Sequence, residues 1–144
     1  MKIDPGLKRQ IKLMIQKSDE ALKAATILTR AESFDAAASK AYYAVFHIMQ
    51  AALLTRGLTF SKHAGVVGAF SRFFIKEGIF PEKFAAGIKQ LRKDREIGDY
   101  EYGRAIGQSR ATQNLEKAKE IVKMVKKELK QLSSSPKRPR REKV

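Results

Sequence analysis

The sequence has no cysteine and only two histidines among its 144 residues. Without cysteine there is no disulfide framework, no thiolate metal site and no cysteine nucleophile. With two histidines, a metal centre built from several imidazoles is not expected. The composition therefore predicts neither a bound metal nor another cofactor.

Long apolar runs are also missing from the chain. No stretch approaches the roughly 20 apolar residues that a membrane span requires. Residues 1–6 lack the apolar core of a signal peptide. We therefore expect a soluble, cytoplasmic protein with no membrane contact.

Acidic residues are scarce relative to basic ones: 15 Asp and Glu against 30 Lys and Arg give a formal net charge of +15. Residues 133–144 contribute +4 of this charge, so residues 1–132 still carry +11. Such an excess favours anionic partners such as nucleic acid or an acidic protein. The alternative is that the charge serves only solubility. The four tail residues expected to contact nucleic acid are Lys137, Arg138, Arg140 and Arg141.

Apolar residues recur with helical spacing throughout, and the alternation typical of strands is absent. Short connections favour antiparallel neighbours. The fold class predicted is all-α, an antiparallel up-and-down bundle of four long helices plus one short helix. One domain should cover residues 1–132, and the apolar-poor residues 133–144 should form a basic disordered tail. The predicted helices span residues 5–30, 34–56, 62–76 (the short one), 82–97, and 109 or 112 to 132.

Helix ends are marked by residues with known positional preferences. Proline favours the first helical turn, serine the N-cap and glycine the position after the last turn. We expect Gly98 to break the fourth helix. The other predicted markers are Pro5 and Pro81 at starts, Ser33 and Ser61 as N-caps, and Gly57 and Gly78 at ends.

Arg95 occupies a position where the helical pattern predicts an apolar residue. Phe84, Ile88 and Leu91 mark a core-facing stripe, and the same face returns eleven residues after Phe84. A guanidinium stays charged, and its burial without a partner is costly. Two compatible roles follow: an ion pair with Asp99 one turn later, or contact with a bound phosphate.

Three segments resemble the HEPN-domain family, and most closely its small stand-alone uncharacterised subgroup. Residues 39–47, SKAYYAVFH, resemble a Ser-x-Ala-Tyr-Tyr-Ala-x-Phe segment, and residues 62–67, KHAGVV, resemble Lys/Thr-His-x-Gly-Val. Residues 95–100, REIGDY, resemble Arg-x-x-Ala-Asp-Tyr, with glycine in the alanine position. The resemblance implies a helical bundle that often dimerises. It also implies genetic pairing with a minimal nucleotidyltransferase as a toxin–antitoxin-type module.

Active members of that family are metal-independent RNases with an Arg, four to six residues, then a His, often followed by a Tyr two positions later. Arg95 and Tyr102 match this pattern, but Tyr100 stands in the histidine position. The resemblance implies Arg95, Tyr100 and Tyr102 as catalytic candidates. It implies Asp99, His63 and Tyr43 as binding or supporting residues, and RNA or a nucleotide as ligand.

RNA cleavage without a metal requires a base for the ribose 2′-OH, a cation for the phosphorane and an acid for the leaving oxygen. Arg95 suits the second task. Tyrosine, with a reference pKa near 10, is ionised in only about one of 10³ molecules at pH 7, so Tyr100 is a weak base. Three functions stay open: an RNase, a non-catalytic module that binds a nucleotide or a nucleotidyltransferase, and a structural adaptor.

Each candidate also has a purely structural interpretation. Tyr100 and Tyr102 would then plug the end of the bundle. His63 either turns towards Arg95 or serves as a capping or surface residue. The phenylalanines between residues 70 and 84 are expected to form core rather than a stacking surface.

Overall fold

The computed structural model describes residues 4–103 and 105–134, with only the backbone described for residues 132–134. The four tail residues predicted to contact nucleic acid therefore lie outside the described residues, and their role stays a prediction. Within the described ranges, every regular element is helical. They are α1 (Pro5–Arg30), α2 (Phe34–Leu54), α3 (His63–Phe70), a π-helical turn (Ser71–Ile75), α4 (Lys83–Tyr100) and α5 (Gln108–Ser134).

The four long helices run up and down, as predicted. Residues near the middle of α1 and α2 meet, where the Ser18 hydroxyl donates to the Ala44 carbonyl at 2.7 Å. The C-terminal part of α4 meets the start of α5 through Asp94 and Arg110, 3.1 Å apart. The predicted all-helical bundle is thus confirmed.

Helix α2 lies at the centre of the bundle because nearly all of its surface is apolar. It packs against α1, α3, α4 and α5. Its alanines allow close approach, and Tyr42, Val45, Ile48 and Met49 are fully buried. The predicted aromatic core also forms, since Phe70, Phe74, Phe80 and Phe84 are buried in one stack. Residues on α2 can therefore touch most other elements of the fold.

Several predicted helix ends are confirmed. Pro5 begins α1, and Asp4 caps it by accepting from the Leu7 N–H at 3.1 Å. Gly57 has a φ of +72°. The N–H groups of Gly57 and Leu58 bond the carbonyls of Leu54 and Leu53 in the pattern of a glycine C-terminal cap. The regular part of α2 ends at Leu54, two residues before the predicted end.

Of the two predicted serine caps, Ser33 is confirmed in position and Ser61 is wrong. Ser33 occupies the N-cap position of α2, but its side chain makes no capping hydrogen bond. Lys62, not Ser61, precedes α3. The third helix is also shorter than predicted, because the Lys76 N–H bonds the Ser71 carbonyl at 2.8 Å and widens the backbone into a π turn. Gly78, with a φ of +82°, ends this region as expected.

The prediction that Gly98 breaks the fourth helix is wrong. Helix α4 continues through this glycine to Tyr100. A side chain at position 98 would place its Cβ 2.8 Å from the Asp35 carbonyl oxygen, so the glycine permits close contact between helices. It is therefore a packing residue, and it brings the end of α4 onto the start of α2.

Candidate functional site

Arg95 is buried on the core-facing stripe of α4. Phe84, Ile88 and Leu91 are at most 2% exposed, and Arg95 follows them at 8% exposed. The predicted cation in a core-facing position is thus confirmed. Because burial of a guanidinium is costly without compensation, its neighbours decide what it can do.

Three tyrosine rings surround the Arg95 guanidinium. Its Cζ lies 5.2 Å from the ring centroid of Tyr42, 5.7 Å from that of Tyr43 and 5.9 Å from that of Tyr100. Cation–π attraction offsets part of the desolvation cost. These contacts engage the face of the guanidinium and not its N–H groups, which point along its edge.

Asp99 compensates Arg95 only partly. The Arg95 Nη1 lies 3.8 Å from Asp99 Oδ2, which is an ion pair but too long for a hydrogen bond. The same carboxylate oxygen lies 3.4 Å from the donating hydroxyl of Ser39. The buried Arg95 Nε has no hydrogen-bond partner among the described residues. Asp99 thus orients the cation without consuming its donors, so the two predicted roles of Arg95 are compatible.

His63 joins the same cluster from the start of α3. Its Nδ1 is 2.9 Å from the Tyr42 hydroxyl. Its ring stacks on Phe46 at 4.1 Å between centroids, and on Tyr42 at 5.7 Å. His63 is the first residue of α3 rather than its cap, and it is half-buried, so its ring lies both at the surface and in this cluster. Tyr42 lies between His63 and Arg95 and contacts both.

The surroundings of Tyr42 and His63 favour the uncharged form of both side chains at neutral pH. Burial raises the pKa of Tyr42, and the nearby cations Arg92 and Arg95 only partly oppose the shift. Burial lowers the pKa of His63, and the same two arginines lower it further. A neutral imidazole has one nitrogen that accepts and one that donates, so His63 can take part in proton transfer.

Tyr100 and Tyr102 do not plug the end of the bundle. Tyr100 is 69% exposed, although its ring centroid lies 5.9 Å from the Arg95 Cζ. Tyr102 is fully exposed, beyond the end of α4. Tyr100 is therefore the accessible wall of the Arg95 site, whereas no described contact joins Tyr102 to the site.

The site forms because α2 and α4 touch at Gly98. Asp35, whose carbonyl faces that glycine, also accepts the Ile106 N–H through its carboxylate at 2.8 Å. This residue therefore holds both the end of α4 and the connection that follows it. The contact sets Arg95 against the tyrosines of α2.

Sequence reasoning missed three residues of this cluster, Ser39, Tyr42 and Phe46. Ser39 and Tyr42 lie three positions apart on α2, and Phe46 follows at the next turn, so all three share one face. This spacing within residues 39–47 was the available signal. Tyr43, which had been singled out, contacts both Arg95 and His63.

A second buried charge, Asp94, was also missed, and it is fully partnered. It accepts from Gln90 at 2.9 Å, from Arg110 at 3.1 Å and from Asn114 at 3.0 Å. These residues lie between α4 and α5, away from the tyrosine cluster. This network joins the two helices and leaves no acceptor for a ligand.

The described residues also bear on metals and membranes. Among residues 4–103 and 105–134, no group of three or more metal-ligating side chains comes together. In the same ranges, no helix is both long and apolar enough to cross a membrane. The polar side chains described in the Arg95 cluster are those of arginine, tyrosine, histidine, aspartate and serine.

A comparison with known protein families identifies the family of this chain. The HEPN domain model matches residues 11–129. These residues include all five helices in large part, together with Arg95, Tyr42 and His63. The chain therefore belongs to the HEPN domain family.

Individual relatives are similar over most of the chain. "Putative toxin MJ0605" of Methanocaldococcus jannaschii is 32% identical over 130 residues, which are 90% of this chain and 96% of the relative. "Putative toxin MJ0142" of the same organism is 30% identical, covering 85% of this chain and 83% of the relative. A UPF0332 protein of Thermotoga maritima is 36% identical over 59% of this chain and 64% of its own length.

A solved structure shares the fold. The crystal structure of TT1696 from Thermus thermophilus superposes with a TM-score of 0.71, covering 82% of this chain and 97% of that one. Its sequence identity is 16%, so the similarity concerns the fold alone.

Proposed function

We propose that this HEPN protein is the toxin-type component of a two-protein module and that it binds RNA at Arg95. The observation that carries the proposal is the buried Arg95 Nε, which has no partner among the described residues. Arginine binds phosphate through several parallel N–H donors, and a guanidinium that keeps a free donor among three tyrosine rings is suited to that task. The exposed Tyr100 ring beside it offers a surface on which a base can stack.

Anisotropy of a fluorescein-labelled single-stranded RNA tests the binding. Wild-type protein should bind with a steep salt dependence, because phosphate contacts release counterions. Arg95→Ala should weaken binding about tenfold or more. Arg30→Ala, which removes the same charge from an exposed position at the end of α1, is the matched control. Equal affinities of the two variants would refute the assignment of the site.

Cleavage of the bound RNA is a second candidate, and His63 favours it. The family motif places its histidine at position 100, where this chain has tyrosine, but His63 brings an imidazole to Tyr42, which also contacts Arg95. In this scheme the neutral His63 takes the proton of the ribose 2′-OH as the 2′-oxygen bonds to phosphorus, and Arg95 stabilises the phosphorane. The bond from phosphorus to the 5′-oxygen then breaks, and the leaving oxygen takes a proton from water, which leaves a 2′,3′-cyclic phosphate.

The cleavage test uses purified protein in EDTA. His63→Gln should abolish cleavage, and His47→Gln should retain it, since the His47 ring lies against Tyr43 and Phe46 rather than within the His63–Tyr42 pair. Wild-type protein that binds RNA without cleaving it would leave RNA binding as the function and exclude catalysis by His63.

The partner assignment is a further part of this proposal. A minimal nucleotidyltransferase is the partner that the family resemblance implies, and the names of the two Methanocaldococcus jannaschii relatives support a toxin role. We propose a homodimer that sets two Arg95 side chains near one phosphodiester. The molar mass in solution, alone and with RNA, tests the dimer. Co-purification with the product of a neighbouring nucleotidyltransferase gene tests the partner; binding to that protein without any affinity for RNA would favour a non-catalytic protein-binding module.

A further inference from the structure

A large groove lies between α1 and α5, and no residue of the Arg95 cluster lines it. Its volume is about 1080 Å³, and Thr55 lines it beyond the end of α2. Both α1 and α5 pack more extensively on α2 than on each other, so the groove remains open along their length. We call it the α1–α5 groove.

The floor of the groove is apolar. Ile11, Val122 and Leu129 are at most 8% exposed and reach it from opposite helices. Ile15 and Leu22 continue this floor along α1. Covering such a floor with apolar side chains lowers the free energy of the complex, because apolar surface is removed from water.

The walls of the groove are basic. Eight Lys and Arg residues line it against one acidic residue, Asp19, whose carboxylate is occupied by the Lys126 ammonium at 2.9 Å. Among the described residues, Lys12, Lys123 and Lys127 have no carboxylate partner. The groove therefore combines an apolar floor with walls whose positive charge is largely uncompensated.

We propose that the α1–α5 groove binds an acidic amphipathic helix of a partner protein. The lining of α1 from Lys8 to Leu22 extends over about 21 Å at 1.5 Å per residue, which matches a bound helix of about 14 residues. Apolar side chains on one face of such a helix cover the floor, and flanking Asp or Glu residues pair with the lysines.

Charge and chemistry disfavour the other occupants. A nucleic acid would neutralise the walls but present a phosphate backbone to the apolar floor. A second copy of the chain, docked through the same face, would bring eight cations against eight. Residues 135–144 hold five basic residues and one acidic residue, so their charge repels the walls. The acidic helix alone matches both the floor and the walls.

A designed peptide tests the proposal with the full-length protein. The probe is a fluorescein-labelled helix of about 15 residues with leucine on one face and glutamate on the flanks. A peptide of the same composition, reordered so that the leucines share no helical face, is its control. Anisotropy should show binding of the probe and about tenfold weaker binding of the reordered peptide.

Paired charge reversals locate the binding. Lys12→Glu with Lys123→Glu should weaken probe binding about tenfold or more. Lys23→Glu with Lys89→Glu makes the same change in net charge at exposed positions outside the groove, and it should change binding by less than about twofold. All four side chains are exposed, so both double variants should keep the wild-type circular dichroism spectrum.

Three outcomes would overturn the proposal. Equal binding of the two peptides would show that the protein attracts negative charge but does not recognise an apolar helical face. Equal loss of binding in the two double variants would place the interaction outside the groove. Loss of single-stranded RNA binding, without loss of peptide binding, in the Lys12 and Lys123 variant would make the groove a nucleic-acid surface.

Discussion

Asp94 and Arg95 are consecutive, oppositely charged and both buried, yet each is stabilised by a different helix. Asp94 accepts hydrogen bonds from Arg110 and Asn114 of α5, whereas Arg95 lies against the tyrosine rings of α2. Neighbouring residues of a helix point about 100° apart, so one charge can be saturated while the next keeps open donors. The first is therefore a structural charge, and the second is the charge that we propose binds an anion.

Removing the structural charge should destabilise the fold. We expect Asp94→Ala to lower the free energy of unfolding by about 2 to 3 kcal/mol, because buried Asn114 and its neighbours lose their acceptor. Asp19→Ala, which breaks the exposed pair with Lys126, should cost less than about 0.5 kcal/mol. Urea unfolding of both variants measures the difference, and equal costs would contradict the structural role of Asp94.

Replacing Arg95 by an uncharged residue should not destabilise the fold. Methionine is similar in volume to arginine and carries no charge to desolvate, so Arg95→Met should leave the free energy of unfolding within about 1 kcal/mol of wild type or raise it. RNA affinity should fall in the same variant. A loss of several kcal/mol in urea, with RNA affinity unchanged, would instead make Arg95 a structural residue.

The contact at Gly98 should tolerate no side chain. A Cβ there would lie 2.8 Å from the Asp35 carbonyl oxygen, so Gly98→Ala should lower stability by about 1 to 3 kcal/mol. Gly68 in α3 has nothing within 4 Å of an added Cβ, and Gly68→Ala should raise stability by about 0.5 to 1 kcal/mol. Thermal unfolding compares the two substitutions, and a neutral Gly98→Ala would show that the helices can separate freely.

Acid should destabilise the protein through its histidines. Burial lowers the pKa of both His47 and His63 below the ordinary value of 6.5. The unfolded chain therefore binds protons at a higher pH than the folded chain. Their contribution to stability is present above about pH 6.5 and is lost as pH falls through the lowered pKa values.

The measurement is the free energy of unfolding in urea between about pH 7 and pH 5. It should decrease with falling pH, and the decrease should be shallower in His63→Gln. An identical slope in wild type and His63→Gln would show that this imidazole titrates alike in the folded and unfolded chains.

Periodicity alone predicted most of the fold. The spacing of Phe84, Ile88 and Leu91 located the buried face of α4, and the apolar surface of α2 placed that helix at the centre. These inferences succeed because burial of apolar area dominates helix packing and can be counted from the order of residues. The same spacing identified Arg95 as the one charged residue on this apolar face of α4.

Local rules failed where a distant residue intervened. Gly98 has the composition of a helix break, but its real constraint is the Asp35 carbonyl 63 positions earlier. His63, 32 positions from Arg95, reaches the Arg95 cluster through Tyr42 and Tyr43 of α2.

The order of residues was sufficient for an all-helical bundle, its buried faces and one cation among apolar neighbours, because each depends on spacing along a single helix. The identity of that cation's neighbours required the packed bundle. Which tyrosine contacts Arg95, how far Asp99 lies from it, and whether Nε finds an acceptor all depend on how α2, α3 and α4 approach one another. Such distances arise from contacts between segments far apart in the chain, and no local pattern of residues encodes them.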